Sequence, residues 1–311
     1  MRNEPSVHAS EKIVIRDSTL REGLDVPTVD FTIEQRLRIA RLLHEAKVPE
    51  IEIVAPSRIF EDKNVAVKIK EEGLPILTSG LVYSFSPHFR EEIRVLSECL
   101  DRIDILMPVS EKRRPCCRNT KKSLLLEVLA YSLQYHSEVG VGFPHSTQTE
   151  PEFLLDISRE CVEKGAKRVL VYDTNGSSDP FAVYDLIGLL RKNLKAPLFF
   201  HGHNDLGLAT ANSLAAVYAG ADGLDTTVNG LGDRAGNASL EQVAVALHVK
   251  GFHTGVSLEN LKRLADGVEQ ESGIKISRLA PIVGDFAHVH KSPGHLENPN
   301  LFEAFDASLI G

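Results

Sequence analysis

The stretch Leu198-Phe-Phe-His-Gly-His-Asn-Asp205 begins with apolar residues and ends with polar residues that can bind a ligand. Leu198–His201 has the length and composition of a buried strand. His201 and His203 are two residues apart, so on a strand both side chains point to the same face. Polar side chains at the carboxyl end of a buried strand are typical of α/β active sites, and the same pattern recurs elsewhere in the chain.

Short β-rich runs alternate with segments of helical periodicity from residue 13 onward. Thr32–Lys47 is one such segment, and it carries a capping box in which Thr32 is the N-cap and Gln35 its partner. The alternation predicts either a (β/α)8 TIM barrel or a doubly wound open sheet. The eight predicted strands are Ile13–Arg16, Ile51–Val54, Ile76–Thr78, Ile103–Met107, Val139–Phe143, Arg168–Tyr172, Leu198–His201 and Leu224–Val228.

The positions of the reactive residues favour the barrel. Polar residues occur at the ends of five of the eight predicted strands, and in a barrel all these ends share one face. We therefore predict an α/β protein in which residues 1–250 form a TIM-barrel catalytic domain. Residues 251–311 form a C-terminal extension with one helix, Leu258–Ser272, and a loop-rich tail. The polar clusters are Asp17–Gly23, Glu52, Asp173-Thr174, His201–Asp205 and Asn229–Asn237.

Composition excludes several classes of partner. The net charge of −8 argues against nucleic acid or an anionic membrane surface. The basic run Lys112–Arg114 is interpreted as a solvated loop. The four cysteines show no disulfide or zinc spacing, and neither a secretory signal nor an apolar run long enough to span a bilayer occurs. We therefore expect a cytoplasmic protein that acts on small molecules.

The His-x-His pair has two interpretations: two hydrogen-bonded histidines, or two ligands of one metal ion. Glu22 and Asn237 follow predicted strands close to that of His201 in a closed barrel. These additional oxygen ligands favour the interpretation as a metal site. Two imidazoles, a carboxylate and an amide carbonyl, with positions left open for substrate, suit Mg²⁺, Mn²⁺, Co²⁺ or Zn²⁺.

Two further features lie beside these ligands. Arg21 could hold a developing oxyanion, or it could form a structural salt bridge in the barrel mouth. The glycine-rich segment that contains Asn229 and Gly232 either binds a phosphate or substrate through its backbone N–H groups or forms a tight turn.

Three motifs together resemble the DRE-TIM metallolyase superfamily, and in particular its homocitrate synthase and 2-isopropylmalate synthase group. They are Asp17-Ser-Thr-Leu-Arg-Glu-Gly23, His201-Gly-His-Asn-Asp205 and Asn229-Gly-Leu-Gly-Asp-Arg-Ala-Gly-Asn237. The resemblance implies a homodimeric TIM-barrel enzyme. Its reaction would be a metal-dependent Claisen-type condensation of acetyl-CoA with a 2-oxo acid.

The resemblance also implies roles for individual residues. Arg21 would polarise the 2-oxo group, and Asp17 would hold the turn after the first strand. The segment His290–His295 is similar to a family segment that reaches an active site, with His295 as general acid/base. His145 would stand where the family has a catalytic glutamate. The implied metal ligands are Glu22, His201, His203 and Asn237, and the substrate pocket would include Glu52 and Thr174.

The chain departs from the family pattern in the substrate pocket and the acid/base relay. Leu24-Asp25 replaces a Glu-Gln pair, Thr28 a glycine, and Phe302 a tyrosine. The family usually carries an arginine or histidine near the end of the third strand, where this chain has the run Ser79-Gly80-Leu81-Val82-Tyr83. These changes leave the identity of the oxo acid open.

Two alternatives remain. The first is a carbon–carbon lyase of the same superfamily, such as a 3-hydroxy-3-methylglutaryl-CoA lyase or a 4-hydroxy-2-oxo acid aldolase. The lyase type has a cysteine in the loop after strand 8, and Asn229–Asn237 has none, which favours condensation. The second is a non-catalytic barrel that retains the metal site.

Overall fold

The computed structural model describes residues 12–110 and 117–311. Its strands pair in parallel in chain order, and the last pairs with the first, so the sheet is a closed barrel. The predicted TIM barrel is confirmed, and the open sheet is excluded. The strands are β1 Val14–Asp17, β2 Glu50–Val54, β3 Leu77–Tyr83, β4 Arg102–Leu106, β5 Val139–Phe143, β6 Val169–Asp173, β7 Leu198–Gly202 and β8 Gly223–Thr226.

Helices surround the barrel and bury their apolar faces against it. Thr32 caps α2 through the predicted reciprocal bonds with Gln35. The helices of the described residues are α1 Thr19–Glu22, α2 Ile33–Glu45, α3 Ile59–Glu71, α4 Phe89–Cys99, α5 Arg118–Ser132, α6 Pro151–Glu163, α7 Pro180–Asn193, α8 Ala209–Tyr218, α9 Leu240–Val249, α10 Leu261–Ser272 and α11 Pro293–Glu297.

Strand β3 differs most from its prediction, because it continues five residues beyond Thr78. The sequence hides this continuation behind Gly80, since glycine is rare in strand interiors. In the barrel the glycine is needed: a Cβ there would lie 2.7 Å from Val54 Cβ and 2.7 Å from Leu100 Cδ1. The close approach of β2 explains why the strand carries no side chain at this position.

The inside of the barrel contains charged as well as apolar side chains. Arg168 binds Glu50 and Asp104, with nitrogen–oxygen distances of 2.7–2.9 Å. Arg16 binds Asp104 at 2.8 Å and Glu52 at 3.0 Å. These side chains are buried, and each charge faces a partner of opposite sign, as burial of charge requires. An apolar cluster is formed by Leu81, Leu106, Leu170, Tyr172 and Phe199.

The C-terminal segment begins by packing on the barrel's outer layer. Helix α10, which covers most of the predicted helix Leu258–Ser272, lies against α2: Gln35 Nε2 donates to the Glu271 carbonyl at 2.9 Å. Beyond it the chain is mostly loop, as predicted, apart from α11 and short 3₁₀ turns. The division of the chain at residue 250 stays a prediction.

Three expectations from the composition concern membrane spans, cysteines and the basic run. Within the described part of the chain no helix is long and apolar enough to cross a membrane. Cys99, Cys117 and Cys161 are free thiols. Cys116 and the basic run Lys112–Arg114 lie outside the described residues.

Candidate metal centre

Two histidines and a glutamate converge at the carboxyl end of the barrel. His201 lies on β7 and His203 just beyond it, while Glu22 ends the short helix α1 that follows β1. His201 Nε2 is 3.3 Å from His203 Nε2 and 3.3 Å from Glu22 Oε1, and His203 Nε2 is 3.9 Å from that same oxygen. All three side chains are buried, and the group could hold a metal ion.

The donor set fits a divalent cation. Ligand atoms about 2.0–2.2 Å from one cation stand roughly 3–3.5 Å apart, which is close to the separations of these three atoms. Two neutral imidazole nitrogens and a carboxylate oxygen are all acceptors, so such an arrangement is stabilised by a cation at its centre. The predicted Glu22, His201 and His203 cluster is thus brought together by the fold; metal coordination itself stays a prediction.

Asp225 on β8 controls the orientation of His201. Asp225 Oδ2 is 3.0 Å from His201 Nδ1, and Arg16 Nε donates to Asp225 Oδ1 at 2.7 Å. When Nδ1 carries the proton that it donates to this carboxylate, Nε2 is left with a lone pair that faces His203 and Glu22. The same Asp225 is held by an arginine that also binds two other acids, so the histidine is anchored to the charged layer below it.

Burial and charge set the protonation of the two histidines differently. Burial lowers the pKa of His201, but the hydrogen bonds to Asp225 and Glu22 outweigh it and raise this pKa overall. Burial and the neighbouring His201 lower the pKa of His203 to about 4. His203 is therefore neutral near pH 7, the state in which an imidazole coordinates a metal.

Asn237 completes this side of the site. It pairs with His203 across a β-bridge, and its Nδ2 is 3.0 Å from His201 Nε2. Its Oδ1 is buried and has no hydrogen-bond partner among the described residues. Which amide atom faces His201 is an assignment, and a half-turn of the amide would place the oxygen there as a further metal ligand.

The glycine-rich loop makes room for that amide. Gly232 has φ +159, and a Cβ on it would lie 1.9 Å from Asn237 Oδ1. Asn229 has a different surrounding: its backbone N–H donates to Glu241 at 3.0 Å and its side chain to the Ala265 carbonyl at 2.9 Å. The loop is thus a tight turn, one of its two expected forms, and substrate binding by Asn229 and Gly232 remains a prediction.

Arg21 lies beside the cluster and is fixed by two acids. Its Nε donates to Glu52 Oε2 at 2.6 Å, and its Nη1 donates to Glu22. Glu52 is fully buried and also accepts a bond from Ser18 Oγ at 3.1 Å. Burial opposes ionisation of Glu22, but Arg21 and the two histidines together outweigh burial and hold the pKa of that carboxyl well below its usual range. Both expected roles of Arg21 are compatible with this geometry.

Asp17 closes the turn that carries these residues. Its Oδ1 accepts a hydrogen bond from the Thr19 backbone N–H at 2.9 Å. This bond confirms the structural role predicted for Asp17.

The residues after β5 and β6 form the opposite rim. His145 adopts φ +62, and its backbone N–H donates to Thr174 Oγ1 at 2.8 Å. Arg234 donates to the Thr174 carbonyl at 2.8 Å and to Asp205 Oδ1 at 2.7 Å, which ties together the loops after β6, β7 and β8. His145 and Thr174 are therefore neighbours, and their predicted catalytic and substrate-binding roles remain predictions.

His295 lies on α11 in the tail. Its ring stacks on Phe302 at 3.8 Å and meets His290 edge-on at 5.4 Å. His290 in turn lies 3.3 Å from Glu303. The described contacts of His295 are thus within the tail, and a role as general acid/base stays a prediction.

Sequence reasoning missed three residues around the centre: Arg16, Asp225 and Tyr172. The Tyr172 ring is 4.7 Å from the His201 ring. Side-chain alternation could have found two of them, because Tyr172 shares the inward face of β6 with Thr174, and Arg16 lies on the inward face of β1. No local motif marks Asp225, since its partners are 24 and 209 residues away.

Comparison with known proteins identifies the family of the chain. The chain matches the family model described as HMGL-like over residues 12–268. Homocitrate synthase 1 of Nostoc sp. is 34% identical over 310 residues, 96% of this chain and 81% of that protein. The 2-isopropylmalate synthase of Methanocaldococcus jannaschii is 32% identical over 316 residues, 98% of this chain and 60% of that protein.

A solved structure supports the fold. The HMG-CoA lyase of Acinetobacter baumannii, in complex with coenzyme A and 3-methylmalate, superposes with a TM-score of 0.77 at 18% identity. The match covers 91% of this chain and 98% of the lyase. The family model spans the whole barrel, including Glu22, both histidines and Asn237, and the chain belongs to the HMGL-like family.

Proposed function

We propose that the protein is an acyltransferase that condenses acetyl-CoA with a 2-oxo acid in a reaction that depends on a divalent metal. The observation that carries the proposal is the convergence of Glu22, His201 and His203 beside Arg21 in the barrel mouth. The similarity to homocitrate and 2-isopropylmalate synthases over nearly the whole chain supports it. Mg²⁺, Mn²⁺, Co²⁺ and Zn²⁺ all suit the donor set.

Some residues of the barrel mouth would bind the metal, and others would bind or orient the 2-oxo acid. Glu22, His201, His203 and Asn237 would hold the cation, which when bound would polarise the 2-oxo group. Arg21 offers a fixed positive charge to the same oxygen, and Glu52 keeps the guanidinium in place. Because that charge is held before substrate arrives, it stabilises an oxyanion without reorganisation.

The chemical step needs a base and an acid besides these groups. A base removes a proton from the acetyl methyl group, and the methyl carbon then forms a bond to the carbonyl carbon of the oxo acid. The oxo oxygen takes up a proton, and water cleaves the thioester to release the CoA thiol. We assign His295 and His145 as the proton-transfer residues, with Thr174 holding the backbone of His145. If His295 acts in a neighbouring subunit, the working unit is a homodimer.

The test is release of free thiol from acetyl-CoA with a panel of 2-oxo acids, with and without each of the four metals. We expect thiol release that requires a metal and one class of oxo acid. Cleavage of a 3-hydroxy-acyl-CoA or a 4-hydroxy-2-oxo acid instead would identify a lyase or aldolase. Metal binding without either reaction would identify a non-catalytic barrel.

A further inference from the structure

Tyr172 is a polar side chain in the metal site that no described contact satisfies. It lies on β6, is 5% exposed, and its hydroxyl has no hydrogen-bond partner among the described residues. A buried hydroxyl without a partner is destabilising, so a residue of this kind at a site points to a ligand that supplies the missing bond. The ring lies 4.7 Å from that of His201, which places the tyrosine beside the metal cluster.

The neighbouring strand is shaped to admit this ring. A Cβ on Gly142 of β5 would lie 3.0 Å from Tyr172 Cε2, 3.5 Å from its hydroxyl oxygen and 2.6 Å from Leu106 Cδ2. Gly142 therefore leaves an inward position of β5 without a side chain, and Tyr172 and Leu106 occupy that space. The Tyr172 ring can therefore occupy its position only because Gly142 has no side chain.

The groups around the hydroxyl are charged and already paired. The charged groups that surround it are Arg16, Glu52, Asp225 and Arg21. These four groups bind one another or His201. The phenol O–H therefore remains a donor without a partner among the described residues.

We propose that Tyr172 contacts the 2-oxo acid directly: its hydroxyl donates a hydrogen bond to an oxygen of the bound acid, and its ring forms the wall of the pocket beside His201. This inference rests on the proposed function for the identity of the ligand. It adds a donor from β6 to the donor that Arg21 supplies from α1.

The experiment is direct binding, measured by titration calorimetry on metal-loaded protein without acetyl-CoA. The probes are pyruvate, 2-oxobutyrate, 2-oxoisovalerate and 2-oxoglutarate, and the variant is Tyr172→Phe. Removing one hydrogen bond to a charged ligand should weaken binding of the preferred acid roughly 10- to 100-fold. The affinity for the metal should not change, which shows that the centre is intact. Tyr131→Phe, which removes the same atom from a half-buried tyrosine on α5 whose hydroxyl bonds the Arg90 carbonyl, should leave both affinities unchanged.

The outcomes separate this inference from the proposed function. Equal affinity of Tyr172→Phe and the unchanged protein for the acid would overturn the contact, whatever the reaction. Failure of the unchanged protein to bind any of the four acids would also overturn it, because the ligand class would be wrong. Binding of an acid that Tyr172→Phe weakens, without thiol release from acetyl-CoA, would support the contact and reject the condensation.

Gly142→Ala gives a second check. Its methyl group would meet Tyr172 and Leu106, so we expect weaker acid binding with the metal still bound. In a protein that already carries Tyr172→Phe, Gly142→Ala should weaken acid binding only a little further, because the hydrogen bond is already lost. If Gly142→Ala leaves acid affinity unchanged, the shaped wall is not part of the acid site.

Discussion

The barrel mouth and the C-terminal tail differ in how deeply their residues are buried and in how many of them have partners within the described chain. In the mouth, Glu22 and His201 are buried and have charged or hydrogen-bonded partners. In the tail, Leu279 and Leu301 are each 78% exposed, and His295 contacts only tail residues among its described contacts. The comparison teaches that the candidate metal ligands all come from the barrel, whereas the proton transfer proposed for His295 would require the tail to meet a barrel mouth.

The largest expected effect tests whether the residues of the barrel mouth bind the metal. Replacing His203 with Ala removes one of three convergent ligand atoms, so we expect loss of stoichiometric metal binding and of turnover together. Metal content after dialysis and thiol release are the measurements. His248→Ala, at an exposed position of α9, is the matched control and should retain both. Full activity in the His203 variant would remove the metal assignment.

The second effect tests the dependence on the tail. His295→Ala should keep its metal, because none of the three ligands is among the described contacts of His295, but turnover should fall by about 10²–10⁴ if His295 transfers a proton. Metal content and kcat are measured on the same preparation. An unchanged kcat would exclude His295 from the mechanism.

Mixing inactive variants sharpens the same comparison. If His295 acts on a neighbouring subunit, Arg21→Ala and His295→Ala proteins should regain activity when they are mixed and allowed to exchange subunits. Each variant alone is the control. A mixture that stays inactive although mixed dimers form would restrict His295 to its own subunit or to no role.

A smaller effect is expected below the metal ligands. Asp225→Asn keeps the shape of the side chain but weakens the bonds to His201 Nδ1 and Arg16. Loss of such a supporting carboxylate typically lowers metal affinity about 10- to 100-fold. Competition with a chelator measures it. Asp222→Asn, which alters a partly exposed pair with Arg191, is the control and should bind metal normally. Normal affinity in both variants would mean that Asp225 does not orient His201.

The smallest effect concerns the pH dependence of stability. Burial raises the pKa of Asp17 from its ordinary value of 3.8 to about 7. Between these values the folded protein holds a proton that the unfolded chain has lost, so Asp17 lowers stability as pH rises through this window. Asp17→Asn keeps an acceptor for Thr19, and its Tm relative to the unchanged protein should therefore be higher at pH 8 than at pH 5.5. An equal Tm difference at both values would contradict the buried, protonated Asp17.

Much of the fold was predictable because it depends on short-range patterns. Eight strand positions followed from runs of apolar residues, and the cap of α2 followed from Thr32 and Gln35. The strand that differed most was β3, where Gly80 interrupts the pattern for the sake of a neighbour on another strand. Propensity describes a residue in its own segment and cannot include the approach of a second one.

The candidate site was predictable to the extent that its residues stand in motifs. Glu22, His201 and His203 lie at or just beyond the carboxyl ends of strands, and the parallel order of a barrel brings these ends to one face. Their support was not predictable: Arg16 and Asp225 are 209 residues apart, and Tyr172 depends on the missing side chain of Gly142.

The amino-acid sequence by itself determined the barrel and the set of possible metal ligands, because periodicity and residue type act locally. Only the tertiary structure decided which atoms meet: Nε2 of His201 faces Glu22 since Asp225 holds Nδ1, and Gly232 leaves space for Asn237. Hydrogen-bond direction and close packing depend on distances between segments far apart in the chain, and closure of the barrel sets those distances.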